Sequence, residues 1–184
     1  MMTLWILIGA VALIVLYFIA TYNGLVGAKN QVKNAWSQID VQLKRRYDLI
    51  PNLIEAVKGY MAHERGTLET ITAARSRAMG AESIAEKGRA EGALSNAVSR
   101  LLVTVENYPD LKANQNFIGL QEELSSTENK IAFSRQNYND QVLFYNNRIQ
   151  MFPSSIVAGL GRFTPQEFFE TDDKAARETP KVKF

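Results

Sequence analysis

The chain has no cysteine among its 184 residues. That excludes disulfides, thiol catalysis and cysteine-ligated zinc, and it leaves the compartment open. Histidine is nearly as scarce. His63 is the only one, and His63-Glu64 lacks a second histidine one turn away, so the ligand pair of a zinc hydrolase is missing. A solvated histidine on a helix surface is the simpler reading. Gly80, Gly88 and Gly92 stand among charged residues with no Lys-Ser or Lys-Thr after them, which excludes a phosphate-cradling loop. The paired carboxylates, Glu122-Glu123 and Asp172-Asp173, are adjacent in sequence and therefore splayed on a helix or solvated in a tail; facing carboxylates need a spacing of three or four. The 21 basic and 19 acidic residues leave a net charge of +2, too weak a field to suggest nucleic acid. No catalytic, cofactor or metal-binding residue is assigned, and the chain reads as non-enzymatic.

Charge is absent from the opening of the chain, where the first charged side chain is Lys29. Thr3 to Tyr22 form an apolar run of about twenty residues, which at ~1.5 Å rise spans the ~30 Å hydrocarbon of a bilayer as one helix. A cleaved signal peptide would need a basic start, a shorter apolar run and a small-x-small cleavage site. None fits well, so the run reads as an uncleaved anchor. Trp5 at one end and Tyr17, Phe18 and Tyr22 at the other suit the two membrane interfaces. Lys29, Lys33, Lys44, Arg45 and Arg46 all follow the span, which favours a single-pass protein with its N-terminus outside and its body in the cytoplasm; a periplasmic or extracellular body stays open.

Past the anchor the apolar positions recur at helical spacing. Trp36, Leu43, Ile50 and Val57 are seven apart, flanked by Val32 and Ile39 and then, after a one-residue slip, by Tyr47, Ile54 and Met61. Leu68, Ile71, Ala74 and Ala78 carry the pattern to Met79, with a possible break between His63 and Gly66. Only Gly24 and Gly27 separate this helix from the span, so the two can form one rod. Pro51 should bend it, with Asn52 placed to take up a freed carbonyl. Gly80 ends the pattern. Ser83-Ile84-Ala85-Glu86 opens a second helix that buries Leu94, Ala97, Val98, Leu101, Leu102 and Val105 and stops before Pro109.

A third helix runs from about Asn114 to Phe152, with Phe117, Leu124, Ile131, Tyr138, Tyr145 and Phe152 spaced by seven. Its second stripe, Gln121, Glu128, Arg135, Val142 and Ile149, is half polar. This stripe is either a register-fixing ladder beside a bundle core or a surface for a partner or second subunit. Thr164-Pro165-Gln166-Glu167 predicts a short helix through Phe168 and Phe169. The closing Pro180-Lys181-Val182-Lys183-Phe184 is an alternating extended peptide that frays or docks. The expected organisation is an anchor over 1–24, a helical bundle over 25–153 and a C-terminal segment over 154–184. The fold class is all-α, an elongated antiparallel bundle of three long helices, or four with the break.

Four stretches carry a wider likeness: WSQIDVQLKRRYDLIPNLIEAVKGYMAHE from Trp36, ENYPDLKANQNFIGLQEELSSTENKIAFSRQNYND from Glu106, the YNNRI…FP run from Tyr145 to Pro153, and the PKVKF ending. With these the chain resembles the LemA family of bacterial membrane proteins over nearly its whole length. The matching positions include Asp40, Arg46, Asp48, Pro51, Asn52, Glu128, Arg135, Tyr138, Asn139 and Asn146. The resemblance implies an N-terminal anchor, an elongated helical bundle, no established enzymatic activity and, through a magnetosome-membrane member, a link to membrane organisation.

Two functions follow as expectations. One is a homo-oligomeric scaffold that organises or remodels the bilayer. The other is a monomeric adaptor or regulator that recruits another membrane protein, such as a protease or sensor. The interface candidates for either are Gln121, Glu128, Arg135, Tyr138, Tyr145, Pro180, Val182 and Phe184. Ala20, Gly24 and Ala28 add a small-xxx-small row at the bilayer edge that could admit a neighbouring helix.

Overall fold

A computed structural model describes residues 1–61 and 64–170. The described residues fold into helices: α1 (Met2–Lys58), α2 (Arg65–Gly80), α3 (Ile84–Val105), α4 (Pro109–Lys112), α5 (Gln115–Gln150) and α6 (Ser154–Leu160). The fold is all-α. The four-helix alternative holds, because α1 ends at Lys58 and α2 begins at Arg65. His63 and the whole 171–184 segment, including Pro180, Val182 and Phe184, lie outside the described residues.

Sequence cues set most helix ends. The Ser83 hydroxyl accepts the Glu86 N–H at 3.1 Å and caps α3. Tyr108, forced out of the helical region by Pro109, closes the loop after α3. The Asn114 side chain accepts from the N–H groups of Asn116 and Phe117, supplying α5 with its cap. At the other end of α5, the Ser154 hydroxyl donates to the carbonyls of Arg148 and Met151.

The chain divides into two compact units. One comprises residues 1–39 and 134–167, the other, among the described residues, 40–133 and 168–170. In the first, α1 and α5 run antiparallel. Trp36 stacks edge-on against Tyr138 at 5.3 Å between ring centroids, Asn137 reaches Gln38, and Arg148 reaches the Gly24 carbonyl. The buried positions are Leu25, Ala28, Val32, Ala35 and Ile39 from α1 and Tyr138, Val142, Tyr145 and Ile149 from α5. No residue before Leu25 is buried.

In the second unit Leu43, Ile50, Leu53 and Val57 of α1 meet a core built with Ile71, Leu94, Leu101, Leu111, Phe117, Leu124 and Ile131. Each fully buried aliphatic or aromatic side chain of this kind contributes roughly 1.5–3 kcal/mol. Gly88 of α3 is required by its surroundings. A Cβ there would stand 2.0 Å from the Glu170 carbonyl oxygen, so the chain passes over α3 at a point only glycine leaves open.

Several expectations are corrected. Phe152 does not close the α5 seam; it is 81% exposed, because α5 ends two residues earlier and the chain turns into α6. Leu102 is half-buried, since the apolar face of α3 passes through Leu101 and Val105. The helix expected over 164–169 is absent. The Tyr145 hydroxyl donates to the Thr164 carbonyl at 3.0 Å, the Asn146 amide both donates to and accepts from the Gln166 main chain at 2.9 Å, and the Tyr138 hydroxyl donates to the Glu167 carbonyl at 2.8 Å. These groups satisfy the backbone that a helix would have satisfied internally, and the segment lies extended along α5. The small-residue row is also free only in part. Ala28 is buried, and a Cβ on Gly24 would touch the Arg148 guanidinium at 3.4 Å, so these two pack within their own unit, while Ala20 is exposed.

Candidate functional site

Two places depart from an ordinary apolar bundle, and each lies within one unit. The first is a charge cluster in the second unit. Arg46 is 1% exposed, the largest fully buried side chain in the described protein. Its guanidinium pairs with Glu91, which is 3% exposed, and with the half-exposed Glu128, and donates to the Ser95 hydroxyl at 2.8 Å. The next residue in sequence, Tyr47, donates its hydroxyl to Glu91. Arg45 pairs with Glu123 on the more exposed side. The Arg46 Nε and the Gln42 Oε1, one helical turn apart on α1, are buried with no hydrogen-bond partner among the described residues.

Pro51 belongs to the same cluster. It lies within α1 and has no N–H, so the carbonyl four residues earlier, that of Tyr47, has no helical donor. Arg75 of α2 supplies one, its Nε donating to that carbonyl at 2.7 Å. The group that answers the proline is therefore a cation from another helix, in place of the expected Asn52, which is exposed. Arg45, Arg46 and Arg75 thus bind α1 to α2, α3 and α5 through carboxylates and one freed carbonyl. A buried pair of this type gains little over an apolar core of equal volume, yet removing one partner or shifting the register strands a buried charge.

Burial sets the ionisation of the tyrosines. The Tyr47 hydroxyl is pushed up to about 12, first by desolvation, against which Arg46 pulls it down, Asp40 raises it and Arg75 lowers it. In the first unit Tyr138 is likewise pushed up to about 12, by desolvation and then by Glu167, and burial raises Tyr145. A folded-state value above the unfolded one favours the protonated phenol, so this stability is present below about pH 10 and is lost as pH rises toward 12. Tyr47 and Tyr138 each account for a loss on the order of 2–3 kcal/mol. Chemical denaturation between pH 9 and 12 should show it, and Tyr138→Phe should flatten that limb of the curve.

The second place is the apolar start of α1. This helix is long and apolar enough to cross a membrane by its first residues, and none of that stretch is buried against protein. Trp5, Leu13 and Ile14 are each about two-thirds exposed or more. At the end of the stretch, still in the first unit, Tyr22 meets Phe163 edge-on at 5.5 Å, and a groove of about 650 Å³ is lined by Tyr17, Ala20, Thr21, Phe144, Met151 and Phe152.

Of the interface candidates, Glu128 joins the charge cluster, Gln121 is exposed on α5 and Arg135 is half-buried. Tyr138 and Tyr145 are buried and hold the extended 164–167 segment. Glu91 and Arg75 escape a sequence reading. Glu91 falls in step with Ile84, Val98 and Val105 at a spacing of seven, a mark of the core face that its charge conceals, and Arg75 stands among the small residues Ala73, Ala74 and Ser76. Pro51 was the one available signal for Arg75, since a proline inside a helix requires some donor.

Among curated proteins, a magnetosome protein MamQ of Paramagnetospirillum magneticum is 26% identical over 91% of this chain and 72% of its own length. The protein LemA of Metamycoplasma hominis is 28% identical over 77% of this chain and 65% of its own length. A magnetosome protein MamQ of Magnetospirillum gryphiswaldense is 24% identical over 88% and 68%. The family model described as the LemA family matches residues 35–184, which take in the charge cluster, Pro51 and the whole of α5, and the chain belongs to that family.

Proposed function

We propose that this protein is a non-enzymatic, membrane-anchored scaffold that assembles with copies of itself and organises or remodels the bacterial inner membrane from the cytoplasmic side. The observation that carries the reading is α1. None of its apolar opening is buried against the described protein, and the same unbroken helix supplies core residues from Leu25 to Val57. A surface of that size needs bilayer to cover it. The names of the MamQ relatives, which place those proteins in magnetosomes, agree with a role at a membrane. Among the described residues outside the anchor, Phe133 and Val103 are 74% and 71% exposed, apolar surface that a second copy would cover.

Reconstitution of the full chain into phosphatidylcholine and phosphatidylglycerol vesicles at rising protein-to-lipid ratio tests the remodelling role. Cryo-electron microscopy should show vesicle size or curvature changing with protein load. Unchanged vesicles bearing isolated particles would contradict it.

One observation favours the adaptor reading. In the second unit a groove of about 580 Å³ has Ile54, Met61 and Leu68 on its floor and Lys58, Arg65 and Glu69 around it, a form that suits a peptide or helix of another protein. An adaptor would leave the vesicles unchanged and stay monomeric.

A further inference from the structure

We infer that the turn joining α5 to α6 is a second membrane contact, an elbow that dips into the interfacial layer of the leaflet through which α1 leaves the bilayer. This rests on the anchor reading and concerns only the first unit. Met151, Phe152, Ile156 and Leu160 are 61%, 81%, 56% and 70% exposed, four large apolar side chains within ten residues, while Val157 and Ala158 turn inward. The antiparallel pairing fixes their height. Arg148 lies at Gly24, and Met151 and Phe152 share a groove wall with Tyr17, Ala20 and Thr21. Those α1 residues belong to the last turn and a half of the apolar span. From Tyr17 to Tyr22 is about 8 Å at helical rise, the depth at which interfacial segments bury their apolar face.

The charges around the elbow fit the same occupant. There is no acidic residue before Asp40 and none from Gln141 to Gln166. The charged residues of these stretches are Lys29, Lys33, Arg148 and Arg162, all basic. Arg148 lies over the Phe144 ring at 5.1 Å and uses one donor on the Gly24 carbonyl, leaving others for a lipid phosphate. Arg162 precedes Phe163, which touches Tyr22 at the end of the span. Aromatic and basic side chains about an apolar tip form the composition of a headgroup boundary, and a cytoplasmic leaflet rich in anionic lipid would attract it.

The absence of cysteine gives a direct test. Phe152→Cys, Leu13→Cys and Ser37→Cys are each labelled with the environment-sensitive dye NBD in the full chain and inserted into 3:1 phosphatidylcholine:phosphatidylglycerol vesicles. Lipids carrying a doxyl quencher near the headgroup end of the acyl chain, which reports Phe152, or deep in the chain, which reports Leu13, are then added. Leu13 reports the anchor and Ser37 the aqueous part of α1. The elbow predicts blue-shifted emission at Phe152 with at least a twofold loss of intensity on adding the quencher, and neither at Ser37. Quenching at Leu13 with none at Phe152 overturns the elbow and leaves the anchor standing. A blue shift at Phe152 without quenching means that protein covers it, and also overturns the proposal. No quenching at either position removes the anchor reading and the elbow with it.

Discussion

Arg46→Ala should destabilise the folded body by about 3–5 kcal/mol, because it leaves Glu91 buried at 3% exposure with no cation. In a chain of this size that corresponds to a fall in Tm of roughly 6–20 °C. Glu128 loses the same partner, but its side chain is 35% exposed and water can replace the guanidinium. The loss therefore comes chiefly from Glu91, whose remaining partner is the Tyr47 hydroxyl. Arg46→Met combined with Glu91→Leu removes both buried charges and keeps the volume, and should recover most of the loss. Thermal melts of the three proteins decide it. An Arg46→Ala variant within about 1 kcal/mol of the parent would show that water reaches Glu91 and that the cluster is not a sealed pair. A fully stable double variant with altered assembly would identify the cluster as a register device; one with unaltered assembly would confine its part to folding.

Two arginines in the span should have the larger effect on location. Leu13 and Ile14 are 70% and 66% exposed with no packing to lose, so Leu13→Arg with Ile14→Arg leaves the body from Leu25 onward intact. Each arginine near the centre of the span costs about 2.5–3.5 kcal/mol of insertion on the biological scale, so the pair shifts the partition by a factor on the order of 10⁴–10⁵. The variant should leave the membrane fraction on carbonate extraction while keeping its helical circular dichroism. Retention in the membrane would contradict the assignment of the span. Loss of helicity would show that the free half of α1 is needed to hold the packed half.

The helical fold was legible because heptad spacing reports burial directly. Leu43, Ile50, Val57, Phe117, Leu124, Ile131, Tyr138 and Tyr145 are all buried where the spacing of seven places them. The continuity of α1 could also be read, since two glycines alone do not break a helix whose neighbours on both sides are strong formers; at Gly27 nothing lies within reach of a Cβ. Interactions without a period could not be read. Glu91 and Arg75 become partners of α1 only when α2 and α3 fold back on it; Glu91 keeps the spacing of seven with Val98 and Val105, but a carboxylate between Ala90 and Gly92 does not announce which cation it meets. The extended 164–167 segment was misread for a related reason. Its local signals, Thr-Pro-x-Glu, favour a helix start, but two tyrosines and an asparagine on α5 satisfy its main chain in another conformation, and tertiary hydrogen bonds outweigh a local preference worth about 1 kcal/mol. Phe152 kept the spacing of seven and lost the helix, so the same side chain that would have ended a seam became the tip of an apolar elbow.

The mass of the full-length particle is the most direct test of the scaffold itself. Protein extracted from membranes with its surrounding lipid, or in mild detergent, can be sized one particle at a time by mass photometry. The proposed scaffold predicts a narrow distribution whose mass, less that of the bound lipid or detergent, is a multiple of the 20.7 kDa chain mass, well above a dimer and preserved on dilution. A single population at the mass of one chain would contradict it and favour the adaptor.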